Sequence, residues 1–189
     1  MNSVLLVSSS EKATSMLVTL VKEDCPIQIS AVENGSEARR AILNNDYGLI
    51  VVNTPLLDEF GHDLTITMTE KTSAGIILLV KNDLADQIAE KVENYGVLVV
   101  SKPVVKQLFY QAVKLANASR KRMMGLQNEN EKLQNKIEEI RLIDRAKCAL
   151  IQYLKLTEPQ AHRYIEKQAM DMRTTRREVA EGILKTYEC

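Results

Sequence analysis

The feature that most constrains this chain is an alternation that runs through its first part and then stops. Short runs of Val, Ile and Leu, apolar on both faces, stand at SVLLV (3–7), IQISAV (27–32), GLIVV (48–52), GIILLV (75–80) and GVLVV (96–100). Between them lie segments with helical spacing, such as SEARRAILNN (36–45) and DLADQIAEKVENY (83–95). A strand apolar on both faces needs cover above and below, and intervening helices supply it. The pattern therefore predicts a parallel sheet clad on both sides. Five such units predict an α/β, flavodoxin-like, doubly wound (βα)5 domain over residues 1–118.

From Phe109 onward the texture changes. Strand-like runs disappear, charged and amide side chains dominate, and a heptad frame appears. Phe109, Ala116, Met123, Asn130 and Ile137 fall at its first core position, and Ala112, Ser119, Leu126, Leu133 and Ile140 at its second. The repeat is best from Met123 to Ile140, which predicts a coiled-coil dimerisation helix over residues 119–142. The seam is expected at Met123, Leu126, Asn130, Leu133, Ile137 and Ile140. A single Asn at the first position, with Leu at the second, favours a parallel two-stranded homodimer.

Residues 143–189 read as three helices, the first continuing the coil. Thr157-Glu158-Pro159-Gln160 offers a cap, a first-turn Pro and an amide three residues past the cap. Thr175-Arg176-Arg177-Glu178 repeats the cap-and-acid spacing. Small residues (Ala146, Ala149, Ala161, Ala169, Ala180) allow close helix approach, and Leu150, Ile165, Met170, Val179 and Ile183 are expected to fill the space between. What remains is basic: Arg145, Lys147, Arg163, Lys167, Arg173, Arg176 and Arg177.

Charge divides the same way. Residues 1–119 carry 10 Lys and Arg against 14 Asp and Glu, and residues 120–189 carry 15 against 11, so a chain of zero net charge has a basic C-terminal part. A polyanion would meet that part. No segment approaches the roughly 20 apolar residues of a membrane helix. The opening MNSVLLVSSSEKA reads as a strand rather than a secretion signal. Cys25, Cys148 and Cys189 are odd in number and scattered, which fits reduced thiols in the cytoplasm. Two histidines and no C-x-x-C spacing give no expected metal site, and no nucleophile–base pair or phosphate loop suggests an enzyme or a cofactor.

Over residues 1–118 the order of elements resembles the receiver domain of two-component response regulators. That resemblance implies acids after the first strand to hold Mg²⁺, an Asp phosphoacceptor ending the third, a hydroxyl ending the fourth and a Lys ending the fifth. Here Ser8 and Ser9 follow the first strand, Asn53 stands at the Asp position, and Val80 takes the hydroxyl position, followed by Lys81. Only Lys102, before Pro103, matches, with Gly61 keeping the family's spacing after Asn53. Serines and an amide bring no negative charge to a cation that favours carboxylates, and an amide is no nucleophile toward a phosphoryl donor. The resemblance therefore implies a pseudo-receiver with no phosphoacceptor, controlled by a regulatory sensor protein.

Residues 143–184 resemble the ANTAR domain, the RNA-binding module of bacterial transcription antitermination regulators. The matching text is Ile143-x-x-Ala146-Lys147, Leu150-Ile151, Thr157-Glu158-Pro159-Gln160-Ala161, Ile165, Ala169-Met170 and Val179-Ala180 with Ile183. Cys148 departs from the family's usual glycine but is small enough to pack. The resemblance implies a function: binding of leader-transcript hairpins as a dimer to prevent terminator formation. The seven basic residues are then the candidate RNA contacts, and Tyr153 and Tyr164 are candidates to stack on unpaired bases. A DNA-binding output domain or a scaffold for other proteins are the rival readings. The first would need a helix-turn-helix with a glycine-bearing turn, and KLTEP has none.

Overall fold

The structure, a computed structural model, describes residues 3–22 and 28–187. Cys25 and Cys189, and the first residue of the run at 27–32, lie outside them. The chain divides into two compact units, Met1–Gly125 and Leu126–Cys189.

The first unit alternates strand and helix: β1 (Ser3–Ser8), α1 (Glu11–Lys22), β2 (Gln28–Val32), α2 (Gly35–Asn44), β3 (Leu49–Asn53), α3 (His62–Lys71), β4 (Gly75–Lys81), α4 (Ala85–Val92) and β5 (Leu98–Lys102). All neighbouring strands pair in parallel in the order β2-β1-β3-β4-β5, the doubly wound arrangement expected from the alternation. Successive side chains leave a strand on opposite faces, so the doubly apolar runs build two cores. On one face Leu5, Val7, Ile50, Val52, Ile76, Leu78 and Val80 meet Ala38, Leu64, Met68, Ile88 and Val92 of α2, α3 and α4. On the other, Val4, Leu6, Leu49, Val51, Ile77 and Leu79 meet Leu17 and Val21 of α1.

The next helix, α5 (Lys106–Leu154), contributes Phe109 and Ala116 to that second core. Ala116 lies so close to the start of β4 that a Cβ on Gly75 would stand 2.9 Å from its own Cβ, which keeps both positions small. The heptad thus has two uses. Its early core positions, Phe109 and Ala116, are 2% and 3% exposed against the sheet, whereas Met123, Leu126, Leu133, Ile137 and Ile140 are each at least half exposed.

In the second unit, the end of α5 packs with α6 (Glu158–Met172) and α7 (Arg176–Tyr187). Its core consists of Ala146, Ala149, Leu150, Ala161, Ile165, Ala169, Val179, Ala180, Ile183 and Leu184. All five predicted small residues are buried. Met170 is not: it is 78% exposed. Ala161, Ile165 and Ala169 recur every four residues on the buried face, and Met170 is turned about 100° beyond it. Leu184 takes the expected role of Met170, since Val179, Ala180, Ile183 and Leu184 form one stripe of α7. Cys148 is exposed and takes no part in this packing.

Both short helices start as their sequences predict. The Thr157 N–H donates to Gln160 Oε1 at 2.9 Å, with Pro159 in the first turn. At α7 the Thr175 N–H donates to Glu178 Oε2 at 3.0 Å, and the Glu178 N–H donates to Thr175 Oγ1 at 3.2 Å. These reciprocal bonds satisfy donors that a helix start leaves without partners. α6 ends at Arg173, in the left-handed region at φ 52°, where the Thr174 N–H closes on the Ala169 carbonyl at 3.0 Å.

Candidate functional site

Two groups of residues carry candidate chemistry, one in each unit. In the first, strand register does the positioning: Ser8 is level with Asn53 across β1 and β3, and Lys102 with Lys81 across β5 and β4. This gathers the C-terminal ends of the strands, where open α/β sheets bind ligands. Lys102 Nζ donates to Asn53 Oδ1 at 3.0 Å and to the Thr54 carbonyl. Asn53 Nδ2 donates to Ser8 Oγ at 3.0 Å, and Ser8 Oγ donates to the Ser10 carbonyl at 3.3 Å. An ammonium can only donate, so Lys102 fixes which way the Asn53 amide faces.

The five sequence-predicted pocket residues therefore separate. Ser8, Asn53 and Lys102 join in one hydrogen-bonded chain. Ser9 is exposed and donates to the Pro55 carbonyl at 3.1 Å. Val80 is fully buried in the core on the α2–α4 face. Thr54 is a participant that sequence reasoning missed: its carbonyl receives Lys102, while its own Oγ1 donates to the Leu79 carbonyl at 2.9 Å. No periodicity marks it, because its role follows from the turn after β3. Burial, and then the charge of Lys81, lowers the proton affinity of Lys102 below the ordinary lysine value.

The residues present do not fit Mg²⁺. The pocket offers hydroxyl and amide oxygens and two lysines, and among the described residues no three His, Cys, Asp or Glu side chains converge on a possible metal. Asp58, the nearest acid after β3, is engaged elsewhere. Its Oδ1 accepts the Gly35 N–H at 2.8 Å, and its Oδ2 accepts the Ser36 N–H at 3.0 Å and the Ser36 hydroxyl at 3.1 Å, capping α2 from another loop. The Gly35 N–H, followed by Ser36, holds this carboxyl below the usual Asp range. Beside it, Glu59 pairs with Arg39.

In the second unit the small core leaves most cations outside. Arg145, Arg163, Lys167, Arg173, Arg176 and Arg177 are all exposed. Arg176 lies 3.6 Å from Glu166 and Arg177 3.1 Å from Glu181, surface pairs of the kind worth about 0–1 kcal/mol and easily exchanged. Lys147 differs. Its side chain is only 16% exposed and reaches Asp144 at 2.9 Å and Glu158 at 3.2 Å, tying α5 to the start of α6. The bonds to Asp144 and then Glu158 raise its proton affinity. Tyr164 is exposed, and Tyr153 is 52% exposed and stacked on Tyr187 with ring centroids 5.2 Å apart. Tyr187 had no sequence signal, being far from Tyr153 along the chain.

The first unit thus has a receiver-type fold, and the second is a three-helix unit with a cationic exterior. The family match is direct: residues 131–184 fit the profile described as "ANTAR domain". Along nearly its whole length the chain is homologous to the transcriptional regulatory protein PdtaR of Mycobacterium tuberculosis, strains CDC 1551 / Oshkosh and H37Rv. It is 26% identical to that protein over 183 residues, 96% of this chain and 89% of the relative. The front fold is similar to the signal receiver domain of an HD domain-containing protein from Pseudomonas fluorescens Pf-5, with TM-score 0.58, 22% identity, and coverage of 66% of this chain and 92% of that one. It is also similar to a two-component response regulator from Clostridium difficile, with TM-score 0.56, 25% identity, and coverage of 65% and 98%.

Proposed function

We propose that this chain is an RNA-binding transcription antiterminator that works as a parallel coiled-coil homodimer in the cytoplasm. Its functional parts are a pseudo-receiver (1–118), a dimerisation helix (119–142) and an RNA-binding domain (143–189). The observation that carries the reading is the exposed cationic set around a core built almost wholly of Ala, Leu, Ile and Val. Arg163 and Lys167 stand one turn apart on α6, Arg173 sits at its end, and Arg176 and Arg177 open α7, where helix-start N–H groups add positive potential. These five, with Arg145, are the proposed contacts to leader-transcript hairpins. Lys147 chiefly holds two helices together.

The half-exposed stripe Met123, Leu126, Leu133, Ile137 and Ile140, with Asn130 between, is what a second helix would cover. Two copies of the RNA-binding domain then meet two hairpins, and linkage raises the effective affinity. No described helix is long and apolar enough to cross a membrane. With Asn53 at the phosphoacceptor position, control falls to a sensor protein that binds the pseudo-receiver and shifts the population of active dimers.

The test is a gel-shift series on the full chain at fixed salt, with two-hairpin leader RNA, duplex DNA of equal charge and unrelated RNA. The two-hairpin RNA is expected to bind at least about tenfold tighter than either competitor, a difference of about 1.4 kcal/mol. Equal or stronger binding to duplex DNA would transfer the function to DNA, and no binding to any nucleic acid would leave a protein scaffold. Arg176→Ala with Arg177→Ala is expected to lower the salt slope by about one unit for each phosphate no longer neutralised.

A further inference from the structure

The exterior of α6 carries one side chain that the packing of the domain does not explain. Met170 is 78% exposed, and no other large hydrophobic among the described residues is more exposed. The buried face of α6 is Ala161, Ile165 and Ala169, so Met170 gives nothing to the core. Its neighbours are set by helical spacing. At about 100° per residue, Arg163 lies about 20° from Met170 around the helix axis and Lys167 about 60°. All three therefore share one outward face, and Arg173, three residues further on, closes the helix.

The cations around Met170 differ from the others of the domain. Lys147, Arg176 and Arg177 have acidic partners, whereas Arg163, Lys167 and Arg173 have none among the described residues. The acids of α6 near this face are accounted for. Glu166 lies 3.3 Å from His162 and 3.6 Å from Arg176, and Asp171 is turned about 100° away from Met170. What the helix presents is a flexible, polarisable apolar side chain among cations that lack counter-charge. A single apolar side chain is too narrow a face for a lipid surface, which takes a broad apolar stripe. A duplex offers phosphates and base edges but keeps its base faces inside the stack. A looped RNA offers phosphates together with an unstacked base, whose flat face is apolar.

We infer that Met170 packs on an unpaired loop base of the RNA, with Arg163, Lys167 and Arg173 on the flanking phosphates. This rests on the RNA reading above and adds to it the residue that tells loop from stem. Phosphate contacts position a nucleic acid without reading it, and base contacts specify it. Met170 therefore acts on specificity, and the three cations act on affinity. An apolar contact displaces no counterions, so its share of the binding is independent of salt, unlike that of the cations.

The experiment measures binding by the full chain over a range of salt, to the two-hairpin leader RNA and to the same RNA with an abasic site at one loop position at a time. Met170→Ala keeps a strong helix former at an exposed position, so its melting is expected to match wild type. Its RNA binding is expected to weaken about tenfold with an unchanged salt slope, while Lys167→Ala lowers the slope by about one. At one loop position the abasic RNA is expected to lose a similar amount, with little further loss when it is combined with Met170→Ala. Met170→Leu conserves volume and apolar character and is expected to bind within about twofold of wild type. Met170→Gln keeps length without apolar character and is expected to bind as weakly as Met170→Ala. Wild-type affinity in Met170→Ala and Met170→Gln, or additive losses at every loop position, overturns the proposal and leaves the RNA reading standing, with Met170 as a helix former only. Failure of the wild-type chain to bind the two-hairpin RNA overturns both.

Discussion

The two units spend their side chains differently. In the first, nearly every residue of the three central strands β1, β3 and β4 is buried, and the polar groups at and beyond the strand ends bond to one another: Lys102 to Asn53, Asn53 to Ser8, Asp58 to the start of α2. In the second, ten buried residues among those described form the core, and Arg, Lys, Tyr and part of an apolar helix face stay outside. The contrast teaches that a receiver-like fold can be built with Ser8, Asn53 and Val80 at its strand ends, whereas the other unit keeps only enough interior to hold a surface in place. Apolar burial stabilises both, at roughly 25 cal/mol per Å², but only the second leaves so many cationic and aromatic side chains facing outward.

The comparison breaks most readily at the exposed stripe. Leu126→Lys with Leu133→Lys is expected to turn a dimer into a monomer in sedimentation experiments, weakening association more than about 100-fold, while the melting of the first unit stays where it was. A monomeric wild type would remove the outward role of this stripe. Next in size is the small core. Ile165→Ala should cost about 2–4 kcal/mol, seen in hydrogen exchange as lost protection in α6 and α7 with the strands still protected. Equal loss in β1, β3 and β4 would mean the units do not unfold separately.

A smaller effect separates fold from surface at a single residue. Arg173 holds a left-handed conformation that glycine adopts without a side-chain penalty. Arg173→Gly is therefore expected to stabilise the second unit by up to about 1 kcal/mol while weakening RNA binding. A loss of both would assign Arg173 a packing role. The smallest effect concerns acid. Asp58 has its proton affinity lowered in the folded state, so its contribution is present above the ordinary Asp range near pH 3.9 and is lost as pH falls through its folded value. Asp58→Asn should therefore melt below wild type at neutral pH, and the two curves should converge as the pH falls through the lowered folded value of Asp58. Parallel curves would show that the loop cap acts without its charge.

The sheet, its parallel order and the three-helix unit were legible because each rests on a repeat: both-faced apolar runs, heptads, and threonines set three residues before an acid or amide. The pocket was legible as a set of substitutions at strand ends, since register alone brings Ser8 and Asn53 level. What escaped depended on bonds between turns. Asp58 reads as a stray acid until the loop after β3 carries it to Gly35, and Thr54 is one hydroxyl among many until β4 lies beside it. Met170 was misread because an apolar residue next to Ala169 looks like core. One position along a helix is about 100° of rotation, enough to take it from inside to outside. Lys147 escaped differently, since its pairing with Glu158 spans two helices.

Both short helices begin with a threonine whose partner lies three residues on, so the information that starts each of them is contained in four residues. The exposed positions downstream are then at liberty to vary. Arginines and lysines there can be traded for other side chains without shifting where either helix starts, so the charge of this surface can change while its skeleton stands still.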